Sequence, residues 1–275
     1  MITLDNIRCL PMSIGVIVKA KNEERNIGLT LKYIFRQTLK PVEVVVVNDG
    51  STDRTGEIAK KAGATVIDLP DVGVYAVSLP HLAHVINVGL KKLENLDLDY
   101  VCIMDADHIL PKYYFEKIVK RMQKDSDVVV ASGIIKNEPT KSFAPRGTGR
   151  VVDVQWWKKY GFRYPYYYGW ETWLVFRALK DGLKVAVYRD LVTLVLRPTR
   201  LTPTKYYRYG LSMKALGYWF PYVLGRAIVA SRRNPLNGLM LLKGYLMPIK
   251  KYSDLDSFVG EFLRRQVLSS IKGLL

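Results

Sequence analysis

Asp105 and Asp107, separated by Ala106, close an apolar run and are the first residues in the chain whose types and spacing could do chemistry. Two carboxylates so spaced at a strand end can reach a ribose hydroxyl and a hard cation respectively. Mg²⁺ or Mn²⁺ prefers oxygen ligands and needs few from the protein when a diphosphate supplies the rest. Aspartate is also common after strands, so a solvated turn accounts for this pair when it is taken alone. A second acidic turn is Asn48-Asp49-Gly50-Ser51, followed by Asp53. These residues suit a tight turn and a helix cap; in chemical terms Asp49 can accept a hydrogen bond from a nucleobase imide. The third constellation is Gly169-Trp170-Glu171, followed by Leu174, Arg177 and Gly182. Glu171 falls at a helix start, where the dipole favours a carboxylate. Held there it is a candidate general base for an acceptor hydroxyl, although a capping glutamate in a first helical turn looks the same.

Alternating strands and helices must position these groups. Ser13 to Lys19, Val42 to Val47, Thr65 to Leu69, Asp99 to Met104, Asp127 to Ser132 and Leu183 to Tyr188 read as strands. Helical spacing runs over Asn26 to Gln37, from a cap at Ser51 or Thr52 to about Lys61, and over Leu82 to Leu93. It returns over Pro111 to Lys124, Val154 to Tyr160 and Glu171 to Lys180. The expected fold class is therefore α/β, a mostly parallel twisted sheet flanked by helices. In such sheets ligands bind beyond the carboxyl ends of the strands, where Asp49 and the Asp105/Asp107 pair both fall. Lys136 to Gly149 is rich in Pro, Gly, Lys and Thr and reads as a long loop, with Pro139 to Gly149 and the cluster Tyr166-Tyr167-Tyr168 as the place for an acceptor. Ordinary rim packing accounts for the tyrosines equally well.

The 275 residues carry 42 Lys and Arg against 25 Asp and Glu, a net charge of +17, with 49% apolar residues. That excess favours polyanionic neighbours: nucleic acid, an anionic membrane face or phosphorylated substrates. Cys9 and Cys102 are far apart and form no metal or disulfide pattern, which fits a reducing compartment. No signal peptide and no spanning helix are expected. After about Arg200 the composition shifts to Lys, Arg, Tyr, Trp and Leu broken by proline and glycine. We expect a catalytic domain over residues 1–200 and a basic amphipathic helical region over 201–275. Tyr218, Trp219, Tyr222 and Tyr245, flanked by Arg226, Arg232, Arg233, Lys250 and Lys251, suit a membrane interface. Packing on the catalytic domain or on a second copy would account for the same helices.

Taken together and in this order, the motifs resemble family 2 of the glycosyltransferases, with the GT-A fold, over roughly residues 12 to 190. Ile14 to Glu24 (IGVIVKAKNEE) is similar to the family's first strand and turn, and Val44 to Asp53 (VVVVNDGSTD) to its nucleotide-binding turn. Asn87-Val88-Gly89-Leu90 resembles its Asn-x-Gly helix, Asp105 to Asp107 its metal-binding DxD, and Gly169 to Gly182 (GWETWLVFRALKDG) its acceptor-side motif. The resemblance implies an inverting, metal-dependent transferase of hexosyl or N-acetylhexosaminyl groups. Glu171 would act as catalytic base, and Asp105 and Asp107 would hold Mg²⁺ or Mn²⁺. Ala20, Lys21, Glu23, Asp49, Asn87, Asp105 and Ala106 would bind a UDP- or GDP-sugar, and Trp170 and Tyr168 would meet the acceptor. It further implies an acceptor that is a lipid-linked glycan or polyprenyl phosphate, and a cytoplasmic protein seated peripherally on the cytoplasmic face of the membrane, with no nucleic-acid partner.

Several positions depart from the family pattern. Lys19 and Lys21 stand where a proline and a tyrosine are usual, and a lysine there can pair with phosphate. Ser78-Leu79-Pro80-His81 lacks the usual basic residue before the Asn-x-Gly helix. Trp170 replaces the first acid of the acceptor-side pair, and Glu171 an aspartate. No histidine follows Asp107 at the distance of the family's later metal ligand, and His108 is expected to point away from the site. Competing readings are a nucleic-acid-binding protein, a nucleotidyltransferase and a catalytically inactive membrane scaffold. The first lacks a recognisable reading motif, the second its Gly-rich loop after the first strand, and the third would not need Asp105, Asp107 and Glu171 intact.

Overall fold

The computed structural model describes residues 12–73, 79–138, 140, 143–197 and 201–272; Cys9, Ser78, Pro139 and Arg200 lie outside them. The β-branched runs form a parallel set in the order β3-β2-β1-β4: β1 (Ile14–Ala20), β2 (Glu43–Asp49), β3 (Thr65–Leu69) and β4 (Tyr100–Asp105). Side chains of a strand alternate between faces, and here each face has its own core. Ile17, Val45, Val47, Val101 and Ile103 pack with Ile86, Leu90 and Leu93 of α3 (Pro80–Leu93) and with Leu174 and Phe176 of α6 (Trp170–Lys180). Val16, Val18, Val44, Val46, Cys102 and Met104 pack on the other face. Their partners are Ile27, Leu31 and Ile34 of α1 (Ile27–Phe35), Ala59 of α2 (Thr55–Lys61) and Phe115, Ile118 and Val119 of α4 (Tyr114–Lys124). Burial on both faces is why these strands read as continuous apolar runs rather than alternating ones.

Beyond β4 the sheet departs from the expectation in detail. A two-residue strand, β5 (His108–Ile109), precedes β6 (Val128–Ile135); β7 (Arg150–Asp153) then inserts antiparallel between β4 and β6. Asp153 caps the short helix α5 (Val154–Lys158) by accepting the Trp156 N–H at 2.7 Å. The last strand, β8 (Lys184–Val195), is about twice as long as its first apolar stretch suggests, because Val192 and Thr193 continue to pair with Ile134 and Ile135. The full order is β3-β2-β1-β4-β7-β6-β8-β5. The start of α2 is also corrected. Ser51 and Thr52 do not cap it, since Ser51 Oγ accepts the Asn22 N–H and the Thr52 N–H donates to Asn22 Oδ1, both at 2.9 Å. Those bonds tie the β2 turn to the end of β1 and delay the helix to Thr55.

Four helices follow: α7 (Pro203–Ala215), α8 (Phe220–Ser231), α9 (Pro235–Leu246) and α10 (Asp256–Lys272). The crossing of α7 and α9 depends on glycine. A Cβ on Gly244 would stand 2.0 Å from the Tyr207 carbonyl oxygen, and one on Gly210 2.1 Å from that of Leu241. Val259 and Leu263 of α10 return to the main core beside Leu174 and Phe176. Among the described residues no helix is long and apolar enough to cross a membrane.

Candidate functional site

β1 and β4 are parallel and in register, with Lys19 opposite Asp105, so the two side chains leave the sheet in the same direction. The Lys19 ammonium pairs with the Asp105 carboxylate. Burial pushes Asp105 up, but Lys19 first, then His108 and Thr148, outweigh it and hold the carboxyl below its ordinary value. Ala106 is buried, and its carbonyl accepts the Thr30 hydroxyl at 2.7 Å, which fixes the turn. Asp107, 7% exposed, meets Arg197 Nε at 3.2 Å; the same guanidinium pairs with buried Glu23. Burial first and the neighbouring Asp105 charge second push Asp107 up to about 6. His108 is held between two hydroxyls. Its Nδ1 lies 2.8 Å from Thr148 Oγ1 and its Nε2 2.7 Å from Thr193 Oγ1, and burial pushes its pKa down to about 4, so it is neutral at pH 7.

Two crowded carboxylates, one with a raised pKa, fit a hard divalent cation. Their oxygens are the ligand type Mg²⁺ and Mn²⁺ take, and a cation relieves their repulsion. Among the described residues no group of three or more His, Cys, Asp or Glu is placed to hold a metal ion, and a bound diphosphate or water can supply further oxygen ligands. A pH dependence follows. Below about pH 6 a proton competes with the cation for Asp107. Apparent Mn²⁺ affinity in the presence of a nucleoside diphosphate should therefore fall about tenfold per pH unit there and level off above it. Manganese electron-paramagnetic-resonance titrations between pH 5 and 8 check this; a flat profile would remove Asp107 from the ligand set.

Glu171 opens α6 behind Gly169, whose φ of +77° suits a residue without a side chain. Arg150, 2% exposed at the start of β7, clamps the base of this helix. Its guanidinium donates to the Glu171, Arg146 and Pro145 carbonyls at 2.8, 3.0 and 2.8 Å, and Nη2 lies 3.9 Å from Glu171 Oε1. The loop over residues 143–149 thus rides on the same arginine as the candidate base. Gly147 lies directly against the Glu171 carboxylate, where any Cβ would collide with Oε1. At the far end of the loop, the buried Tyr114 hydroxyl donates to the Gly149 carbonyl at 2.6 Å and accepts the Gly133 N–H at 2.7 Å.

One cleft of 960 Å³ brings the acidic turn and the helix start together: Lys19, Glu23, Asp105, Asp107, Glu171 and Arg197 all line it. Trp170 lines it too, with its indole N–H donating to the Leu79 carbonyl at 3.2 Å. Other sequence-selected residues lie elsewhere. Ala20 is buried at the end of β1, and Lys21 forms an ion pair with Asp71 at 2.8 Å. Asp49 Oδ1 lies 2.8 Å from Nε2 of His81, in the first turn of α3. The Asn87 amide donates to the Tyr164 carbonyl and accepts the Tyr164 N–H, each at 2.8 Å, which ties α3 to the aromatic segment. Tyr168 packs edge-on against Tyr167. Arg177 braces α6 against Asp254 and the faces of Tyr160 and Trp173. Sequence reasoning missed Arg197, Arg150 and Thr148.

A model of glycosyl transferase family 2 matches residues 15–180. The 4,4'-diaponeurosporenoate glycosyltransferase of Staphylococcus aureus (strain bovine RF122 / ET3-1) is 49% identical over 59 residues, which span 22% of this chain and only 16% of that relative. Among solved structures, the mannosyltransferase PcManGT from Pyrobaculum calidifontis, in complex with GDP-Man and Mn²⁺, superposes with a TM-score of 0.59 at 17% identity, covering 84% of this chain and 72% of that one. The glucosyl-3-phosphoglycerate synthase from Mycobacterium tuberculosis, in complex with Mn²⁺, UDP and glucosyl-3-phosphoglycerate, gives 0.55 at 18% identity, covering 74% and 78%. S. aureus TarS 1-349 in complex with UDP-GlcNAc gives 0.56 at 17% identity, covering 85% and 72%. At these identities the likeness is one of fold, the GT-A fold.

Proposed function

This chain belongs to glycosyl transferase family 2, and on that premise we propose that it moves a hexosyl or N-acetylhexosaminyl group from a UDP- or GDP-sugar, with inversion, to a lipid-linked glycan or polyprenyl phosphate. The observation that carries this reading is that Asp105, Asp107 and Glu171 line one cleft. A diphosphate anchor and a base then face the same reacting carbon, as in-line displacement requires. In support, solved proteins of this fold were crystallised with GDP-Man, UDP or UDP-GlcNAc, and two of them with Mn²⁺.

In this reading Asp49 and the end of β1 receive the nucleoside. Asp107, with Asp105 beside it, would hold Mg²⁺ or Mn²⁺, which when bound offsets the charge that builds on the departing diphosphate. Lys19 and Arg197 add two cationic side chains at the same place and can exchange their carboxylate partners for phosphate oxygens. Glu171 takes the proton of an acceptor hydroxyl as the oxygen attacks; an acceptor phosphate arrives already deprotonated and needs only orientation. Trp170, Tyr209, Tyr218 and Tyr222 line the acceptor side of the cleft, where aromatic faces suit a sugar or an isoprenoid. The acceptor would be met at the cytoplasmic face of the membrane.

The test is direct. The protein is incubated with labelled UDP- and GDP-sugars, Mn²⁺ and a bacterial lipid extract, and organic-phase products are examined for anomeric configuration by NMR. One donor should label a lipid with the anomeric configuration opposite to its own. Retention of configuration would overturn the inverting mechanism, and labelling confined to the aqueous phase would overturn the lipid acceptor.

A further inference from the structure

The helices after β8 carry a surface that the donor site does not use. Between Leu191 and Ser253 the sequence has eleven lysines and arginines and no aspartate or glutamate. This one segment therefore supplies +11 of the chain's +17. Within it, α8 buries Val223, Ala227 and Ala230 and turns the opposite arc to solvent, with Phe220, Leu224, Ile228 and Val229 exposed. α9 buries Asn237, Gly238, Leu241 and Gly244 and exposes Leu236, Leu239 and Leu246, the last two at 63% and 67%. Gly238 lets the two helices pack tightly, since a Cβ there would lie 2.5 Å from the Ala227 carbonyl oxygen. The pair is joined by exposed Arg232 and Arg233, and Lys243, Lys250 and Lys251 are exposed along and after α9.

Seven large apolar side chains facing water on one helical pair exceed what scattered surface residues account for. We propose that the outer face of α8 and α9 is a docking surface for an anionic lipid bilayer, lying in the headgroup layer with the leucines and isoleucine inserted. Charge and apolarity select this occupant. A second copy of the chain would bring two such basic faces together. A nucleic acid would neutralise the charge and leave the apolar arc in water. A bilayer of anionic lipid satisfies both at once. Each helix has 12 residues, about 18 Å of length against a hydrocarbon core of about 30 Å, so the helices lie along the surface and do not cross it. Arg226 and Tyr222, on the other flank of α8, line the catalytic cleft. Seating the outer arc therefore sets the cleft beside the lipid surface. This deepens the lipid-acceptor reading, yet its test needs no turnover and fails or succeeds apart from it.

Full-length protein is sedimented with phosphatidylcholine vesicles and with vesicles containing phosphatidylglycerol. Wild type should pellet with the anionic vesicles, more weakly as salt rises, and stay in solution with the neutral ones. The double variant Leu239→Glu, Leu246→Glu should lose at least about tenfold in partition. Arg232→Glu with Arg233→Glu should lose a similar factor at low salt. Unchanged circular dichroism and melting temperature show that the variants fold. Equal partition of wild type and both variants, or none by wild type, overturns the proposal. So does a wild-type dimer in analytical ultracentrifugation that the leucine variant converts to monomer, because the face would then be a self-interface.

Discussion

Glu171→Gln is expected to lower kcat for transfer to a hydroxyl acceptor by about 10²–10⁴-fold, the usual contribution of a positioned general base. Nucleotide affinity should stay within about threefold. The substitution keeps the side chain's volume and leaves the main-chain carbonyl that Arg150 holds at 2.8 Å. It therefore removes proton acceptance while α6 and the loop over 143–149 stay clamped. The helix start still presents its dipole, but to an amide that cannot take the proton. Two measurements separate this from a structural effect. Nucleoside diphosphate with Mn²⁺ should stabilise the variant as it does wild type, and the donor KM should stay unchanged while kcat falls. A kcat within threefold of wild type would remove Glu171 as the base. It would leave the reading of an acceptor phosphate, which needs none.

What could be read from the residues, and what could not, follows from the range of the interactions. β1, β2 and β4 announce themselves because burial on both faces demands unbroken Val and Ile, a signal carried by each strand alone. Their ends fall at Ala20, Asp49 and Asp105, within a residue or two of the expectation, so the acidic turns were found at the carboxyl edge of the sheet. β5 and β7, two and four residues long, are too short for any period, and they exist only because β8 and β4 offer them edges. Arg197 is of the same kind. It meets Glu23 from 174 positions away, and nothing local in a basic residue after an apolar strand says that two buried carboxylates await it. Lys19 was visible as a departure from the family turn, and parallel pairing explains the outcome by setting it opposite Asp105. His81 ends the stretch that lacks the usual basic residue, and only the fold sets it 2.8 Å from Asp49. The bonds of Asn87 to the Tyr164 main chain were not legible either, because they depend on where a segment 77 positions away folds.

Asp107→Ala should abolish the metal-dependent part of donor binding. At a concentration of the preferred nucleoside diphosphate about a hundredfold above its Kd, wild type should gain about 2.7 kcal/mol from ligand, seen as a rise in Tm only when Mn²⁺ is present. In the variant the rise should be the same with and without Mn²⁺. Two effects combine. The variant loses the carboxylate that burial and Asp105 have pushed up to about 6, the oxygen best placed to gain from a hard cation. It also frees Arg197, whose Nε lies 3.2 Å from Asp107 in the wild type, to turn wholly to Glu23 or to phosphate. A small nucleotide-dependent, metal-independent rise in the variant is therefore expected, carried by Arg197 and Lys19, and Arg197→Ala on top of Asp107→Ala should remove most of it. Running UDP, GDP, CMP and dTDP side by side also identifies the base, because the proposed nucleoside contacts at Asp49 and the end of β1 are separate from the phosphate site. If Asp107→Ala retains full Mn²⁺-dependent stabilisation, the cation is held elsewhere. If wild type shows none with any nucleotide at millimolar concentration, the cleft does not bind a donor, and the protein's cationic helical face becomes its main functional surface.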